Sequence, residues 1–290
     1  MLLNISHSTV YRYRRPVTLG PHRLMLRPRD SHALRVVKTG LTLSPPGNMQ
    51  WTLDVFGNSI AVASFLEPTR ELRIDSALTV EPFAAADPQF QVSGWAVSYP
   101  FAYSADERMD LGALLSPHYA DPAGRLGAWA RSFVLCGQTG TLALLTDLNT
   151  GISAQFRYQS RDEEGTQTPL QTMDRGWGAC RDFAVLLVEA ARWLGIGARL
   201  VSGYVDESHY RGGVSGFGAT HAWAELYLPG AGWITFDPTN GTVGDQGLIR
   251  VAVGRTMGQI IPVSGSFVGT SGDFQDMTVQ VAVTPCRSLS

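Results

Sequence analysis

Three side chains of this 290-residue chain have the types and order needed for nucleophilic acyl transfer: Cys180 in GWGACRDFAVLL, His221 in THAWAELYL and Asp237 in WITFDPTN. In such a set a thiolate attacks a carbonyl carbon, an imidazole moves the proton from thiol to leaving group, and a carboxylate fixes the imidazole tautomer. Each residue alone has an ordinary explanation: a free cysteine is a small apolar core residue, and a lone strand histidine or strand-end acid is usually structural. Their chemistry depends on the elements that bring them together.

The first of these elements is a helix. Between Cys180 and Leu194 the apolar residues Phe183, Ala184, Leu187, Ala190, Ala191 and Leu194 recur at spacings of three and four, which predicts a largely buried helix. Gly176 and Gly178 suit an irregular turn before it, and Gly195 suits a left-handed ending. Cys180 therefore opens the helix, where unpaired first-turn amides favour a thiolate and can bind an oxyanion. The Cys180 amide is the expected oxyanion donor. Asp182, in the same turn, is expected to be a structural acid on the positive end of the helix dipole.

The second element is a hairpin. Thr220–Leu228 and Trp233–Pro238 read as strands joined by the turn PGAG, with His221 on the face of Trp223, Glu225 and Tyr227. The register that sets Thr239 opposite His221 leaves Asp237 as its diagonal neighbour on the same face, roughly 7 Å away between backbones. A slip of one residue would place the two on opposite faces. Cooperation between His221 and Asp237 thus demands one register class.

Hydrophobic content of 44%, charged content of 17% and a net charge of -2 describe a globular protein and give no electrostatic case for nucleic acid or an anionic membrane. Cys136, Cys180 and Cys286 are too widely spaced for a paired metal motif or a compact disulfide framework. A reducing compartment and no metal or other cofactor are expected. Asp162, Glu163 and Glu164 lack the glycine and ligand spacing of a calcium loop and are expected in a solvated loop. The N-terminal stretch reads as an alternating strand rather than a signal peptide, and no long apolar run predicts a membrane span, so the expected location is cytoplasmic.

The organisation expected is α+β. Residues 1–100 carry alternating segments at Asn4–Tyr13, Leu34–Ser44, Met49–Phe56, Ser59–Leu66 and Leu72–Val80, which predict an antiparallel β sandwich or barrel. A proline-bearing linker at 101–121 leads to a core at 122–245, with helices from Pro122 to about Cys136 and from Thr141 to about Ile152, and a strand at Ala198–Val205. Residues 246–290 are expected as an extension whose strand, Met277–Val283, can join either sheet.

The segments GWGACRDFAVLL, LGIGARLVSGYV and THAWAELYLPGAGWITFDPTNG, in this order, resemble the bacterial transglutaminase-like superfamily. ISHSTVYRYRRPVTLGPHRLMLRPR, at Ile5–Arg29, is similar to the β domain that precedes the core in many bacterial members. The resemblance implies a papain-like core with Cys180 as nucleophile, His221 as base and Asp237 as orienting acid. It also implies a second oxyanion donor upstream of the cysteine, for which Gln155, Tyr158, Gln171 and Trp177 are candidates. His209, in the glycine-rich stretch 206–218, could border the cleft or be incidental, and that stretch could be a lid. The expected activity is acyl transfer from a peptide, protein or other amide substrate through a thioester, with water as acceptor. Amine transfer of the transglutaminase type is the alternative within enzymes, and a non-catalytic binding module is the alternative outside them.

Overall fold

The computed structural model describes residues 1–83, 88–135, 137–161, 163–206 and 219–286; Cys136, Asp162 and His209, with most of the expected lid, lie outside these. The fold is α+β, with antiparallel sheets at both ends of the chain and helices between them.

The N-terminal module is organised on Leu2–Leu19, which alternates over most of its length and hydrogen-bonds antiparallel to Thr69–Pro82 on one side and Phe274–Cys286 on the other. Leu34–Ser44 extends this sheet beyond Thr69–Pro82. A second sheet runs in the order Val263–Ser264, His22–Arg27, Ser59–Ser64 and Asn48–Leu53. Tyr13, Val17, Leu24, Ala61, Leu72 and Ile74 belong to the core that the two sheets enclose, so the module is a sandwich. Its last strand comes from the far end of the chain, which settles the sheet that Met277–Val283 joins.

The second module is a five-stranded antiparallel sheet in the order Thr242–Val243, Gly232–Asp237, His221–Leu228, Ala198–Val205 and Leu248–Gly254. Residues 246–286 are therefore divided between the two modules. The alternation of His221–Leu228 sends Ala222, Ala224, Leu226 and Leu228 into one core with the Cys180–Trp193 helix. On the other face of the sheet Val201, Trp223 and Val253 form a buried cluster against which Phe56 of the sandwich packs, while Tyr204, Ile249 and Val251 pack against Leu3, Ile5, Leu78 and Val80 of the sandwich. The central sheet is thus covered on both faces.

The helix expected from Pro122 is shorter, Arg125–Arg131, because left-handed Gly124 sets its start. Thr141–Gln155 forms as expected and runs slightly further. Two short helices escaped the periodicity reading, Ala105–Leu111 and Pro169–Arg175, although each opens with a capping box: Ser104 with Glu107, and Thr168 with Gln171. With only seven residues each, they have too few turns for an apolar stripe to stand out.

Where the long first strand passes from the sandwich to the second module, it buries His7. The ring contacts the Tyr204 hydroxyl through Nδ1 at 3.2 Å and the Thr9 hydroxyl through Nε2 at 2.8 Å. Burial lowers its pKa from 6.5 to about 4, against a smaller upward pull from Asp75. Between those values the unfolded chain binds a proton that the folded chain refuses. This site's contribution is therefore intact above pH 6.5 and is lost as pH falls toward 4, by roughly 3 kcal/mol. Urea unfolding of wild type and His7→Gln across this window is predicted to show a steeper acid loss in wild type; parallel curves would contradict the assignment.

Candidate active site

The Cys180–Trp193 helix begins at the expected residue and ends before Gly195, whose φ of 77° is the left-handed ending anticipated. As the first helical residue, Cys180 has an amide with no intrahelical acceptor. Asp182 is fully buried and serves this turn: it accepts from the Ala179 amide at 2.9 Å, from the Gln167 amide at 2.8 Å, and from both Nε and Nη2 of Arg161 at 2.9 Å. It fixes the approach to the cysteine, and its hydrogen bonds are all to structural groups. Arg161 and Arg181 also donate to the carbonyls of Glu163 and Gly165. Glu163, Glu164 and Gly165 are exposed, as expected of a solvated loop, and the carbonyls of Glu163 and Gly165 tie it to the opening of the helix.

The hairpin has the register that the chemistry demands. Ala224 faces Phe236 and Glu225 faces Thr235, a pairing that, continued past the last paired residues, puts Thr239 opposite His221. Asp237 is then diagonal to His221 on the same face, and its Oδ2 accepts from His221 Nε2 at 2.8 Å, with both side chains fully buried. The remaining lone pairs of Asp237 are filled by the Thr239 amide at 2.9 Å, the Asn240 amide at 3.4 Å and Asn240 Nδ2 at 2.7 Å. Burial would raise the Asp237 pKa, but His221, Asn240 and Thr239 outweigh it and hold the carboxyl below its usual range. For His221, burial favours the neutral ring, but Asp237 and the Cys180 thiol reverse this and raise its pKa.

The opening of the helix meets the start of this strand. Cys180 is half-buried. Burial would raise its thiol, yet the His221 imidazole and the Ala222 amide together bring it below the ordinary thiol range. Nδ1 of His221, the nitrogen not used by Asp237, is buried with no formed hydrogen bond among the described residues. The thiol and imidazole lie close enough for each to stabilise the charged form of the other.

The upstream candidates separate cleanly. Gln155 accepts from Trp129 Nε1 at 2.9 Å, Gln171 closes the helix cap at Thr168, and Trp177 lies under the Arg175 guanidinium. Tyr158 instead belongs with the site: its chain pairs with Gly178, and burial, then the neighbouring Cys180, push its hydroxyl pKa up to about 12. Arg161 and Asn240 were missed by sequence reasoning. Asn240 had a signal, because Asp-Pro-Thr-Asn favours a side-chain-capped turn. Arg161 had none, since its partner is 21 residues away.

The family comparisons agree with this architecture. The Transglutaminase-like superfamily profile matches residues 128–238, and that of the Bacterial transglutaminase-like N-terminal region matches residues 3–81. Uncharacterized protein Rv2569c of Mycobacterium tuberculosis is 30% identical over 295 residues, covering 97% of this chain and 92% of its own. The chain belongs to the transglutaminase-like superfamily. Another member-like relative, uncharacterized protein ML0607 of Mycobacterium leprae, is 25% identical over 282 residues, covering 96% and 98% of the two chains. Among solved structures, "a Putative Cysteine Protease from Cytophaga hutchinsonii" has a TM-score of 0.74 at 20% identity, covering 99% of this chain and 92% of that one. The likeness of fold extends over both modules.

The Asp182 cluster gives a direct test of how the cysteine turn is held. Asp182→Asn keeps the side-chain volume but leaves the Arg161 guanidinium, only 7% exposed, without its carboxylate. The expected loss is roughly 3–5 kcal/mol of unfolding free energy, the usual cost of breaking a buried pair. Urea denaturation measures it; a loss under about 1 kcal/mol, as for a surface pair, would contradict the account.

Proposed function

We propose that the protein is a cysteine-dependent hydrolase of a peptide or other amide, acting through a thioester on Cys180. The observation that carries this reading is the buried 2.8 Å contact between His221 Nε2 and Asp237 Oδ2, which leaves Nδ1 free for the thiol. In the proposed reaction Nδ1 takes the Cys180 proton, and the thiolate sulfur attacks the substrate carbonyl carbon. The tetrahedral oxyanion is received by the Cys180 amide at the helix start, with the Tyr158 hydroxyl as second donor. Collapse breaks the carbon–nitrogen bond while His221 returns the proton to the departing amine. Water, deprotonated by His221, then attacks the thioester, and the acid leaves as the thiol is restored.

The first half-reaction is the same whether water or an amine completes the cycle. Hydrolysis is the reading proposed because water is always present, whereas an amine competes only where a site binds it and excludes water.

The lowered thiol and raised imidazole pKa values favour a thiolate–imidazolium pair over a window that opens below the ordinary thiol range. Iodoacetamide labelling of Cys180 in wild type is therefore expected to stay fast well below pH 8. In His221→Ala the thiol loses its partner, and labelling at pH 6 should fall by about tenfold or more, since each pKa unit changes the thiolate fraction tenfold below the pKa. An ordinary thiol profile in both proteins would sink the catalytic reading.

A further inference from the structure

His221 is held edge-on by Asp237, but its flat face rests on another ring. The indole of Trp223 stacks beside it, with centroids 5.9 Å apart and planes 29° from parallel. Trp223 is almost completely buried, and its Nε1 has no hydrogen-bond partner among the described residues. Among the described residues, packing is what fixes this indole. One wall of its slot is the backbone of Gly203, where a Cβ would lie 2.7 Å from the indole Cη2. Val201, Leu248 and Val253 form the rest of the buried cluster, and Phe56 packs against it from the N-terminal sandwich.

Phe56 is not part of the sandwich's own core. It sits at the tip between Asn48–Leu53 and Ser59–Ser64, and this tip is set independently of the tryptophan. Asp54 accepts from the amides of Phe56 at 3.0 Å and Asn58 at 2.9 Å, and from Asn58 Nδ2 at 2.8 Å. Gly57 turns the chain at φ 74°, and Arg29 holds its carbonyl at 2.7 Å. Asn58, itself buried, then clips the tip to the core sheet: its Nδ2 donates to the Val253 carbonyl at 2.7 Å, and its Oδ1 accepts from the Val253 amide at 2.9 Å. The tip is anchored on a residue of the tryptophan slot.

We propose that the Phe56–Asn58 tip of the N-terminal sandwich is a positioning element for the active site, seating His221 through Trp223. In this proposal Phe56 braces the cluster that walls the slot, which restrains the indole from tilting and, through the stacked rings, the imidazole from turning its Nε2 away from Asp237. Phe56 is a positioning residue that touches no reacting atom. The consequence for cysteine chemistry rests on the function proposed above, while the seating of the ring does not.

The test compares wild type, Phe56→Ala and Phe56→Leu in the full chain, by two readouts. Proton NMR follows solvent exchange of the imidazole N–H bound to Asp237, and iodoacetamide follows Cys180 at pH 6. The expected result in folded Phe56→Ala is exchange at least tenfold faster and labelling at least threefold slower, with Phe56→Leu between it and wild type in both. Should Phe56→Ala fail to fold, Phe56→Leu decides alone by faster exchange. Unchanged exchange in a folded variant overturns the proposal. Faster exchange combined with an ordinary wild-type thiol supports the seating of the ring and removes the cysteine mechanism, so the two ideas fail separately.

Discussion

The hydrogen bond between His221 and Asp237 is the constraint around which the second module is arranged. Both side chains are fully buried, and a buried carboxylate is tolerated only when its lone pairs are filled and a charge partner is near. The structure meets that demand locally, because the turn after the strand returns the Thr239 amide and the Asn240 amide and side chain to the same carboxylate. It also meets it globally. The two residues share a face only in one class of hairpin register, and the apolar alternation of Ala222, Ala224 and Leu226 against the cysteine helix enforces that register. Core packing and the polar pair therefore select the same pairing.

The sandwich and the core are linked by more than a linker. The first strand pairs with the last, so the two ends of the chain close on one sheet. Leu3 and Ile5 on that sheet pack against Tyr204 and Ile249 of the core. The face of the central sheet away from the cysteine helix carries Val201, Trp223 and Val253 with Phe56 of the sandwich packed against them, so the sheet is apolar on both faces, as a sheet must be when helices lie on one side and a second layer on the other. Water is kept from the strand carrying His221, and the buried pair keeps the strength that a low-dielectric setting gives it.

Sequence made the chemical elements of this arrangement readable because their signals are local. Cys180 was placed by a helix with apolar spacing and a terminal glycine, and His221 and Asp237 by a short hairpin turn. Asp182 was readable as a structural acid from its first-turn position. What remained hidden depends on distant partners. Leu248–Gly254 lies among glycine-rich turns and becomes a strand only through pairing with Ala198–Val205. Arg161 reads as one more charge in a polar loop until the fold brings it to Asp182. The packing of Phe56 against the cluster that holds Trp223 joins residues from different modules, and no periodicity in either segment announces it.

The central claim is that Cys180 carries the acyl group, and trapping that group tests it most directly. Wild-type protein is incubated with a library of peptides and simple amides, quenched in acid, digested and analysed by mass spectrometry. The account predicts an acyl mass on the peptide containing Cys180, absent in Cys180→Ser and discharged when the quenched adduct is returned to neutral pH with hydroxylamine. Turnover of a substrate from that library with no adduct on Cys180, and with Cys180→Ser as active as wild type, would contradict it.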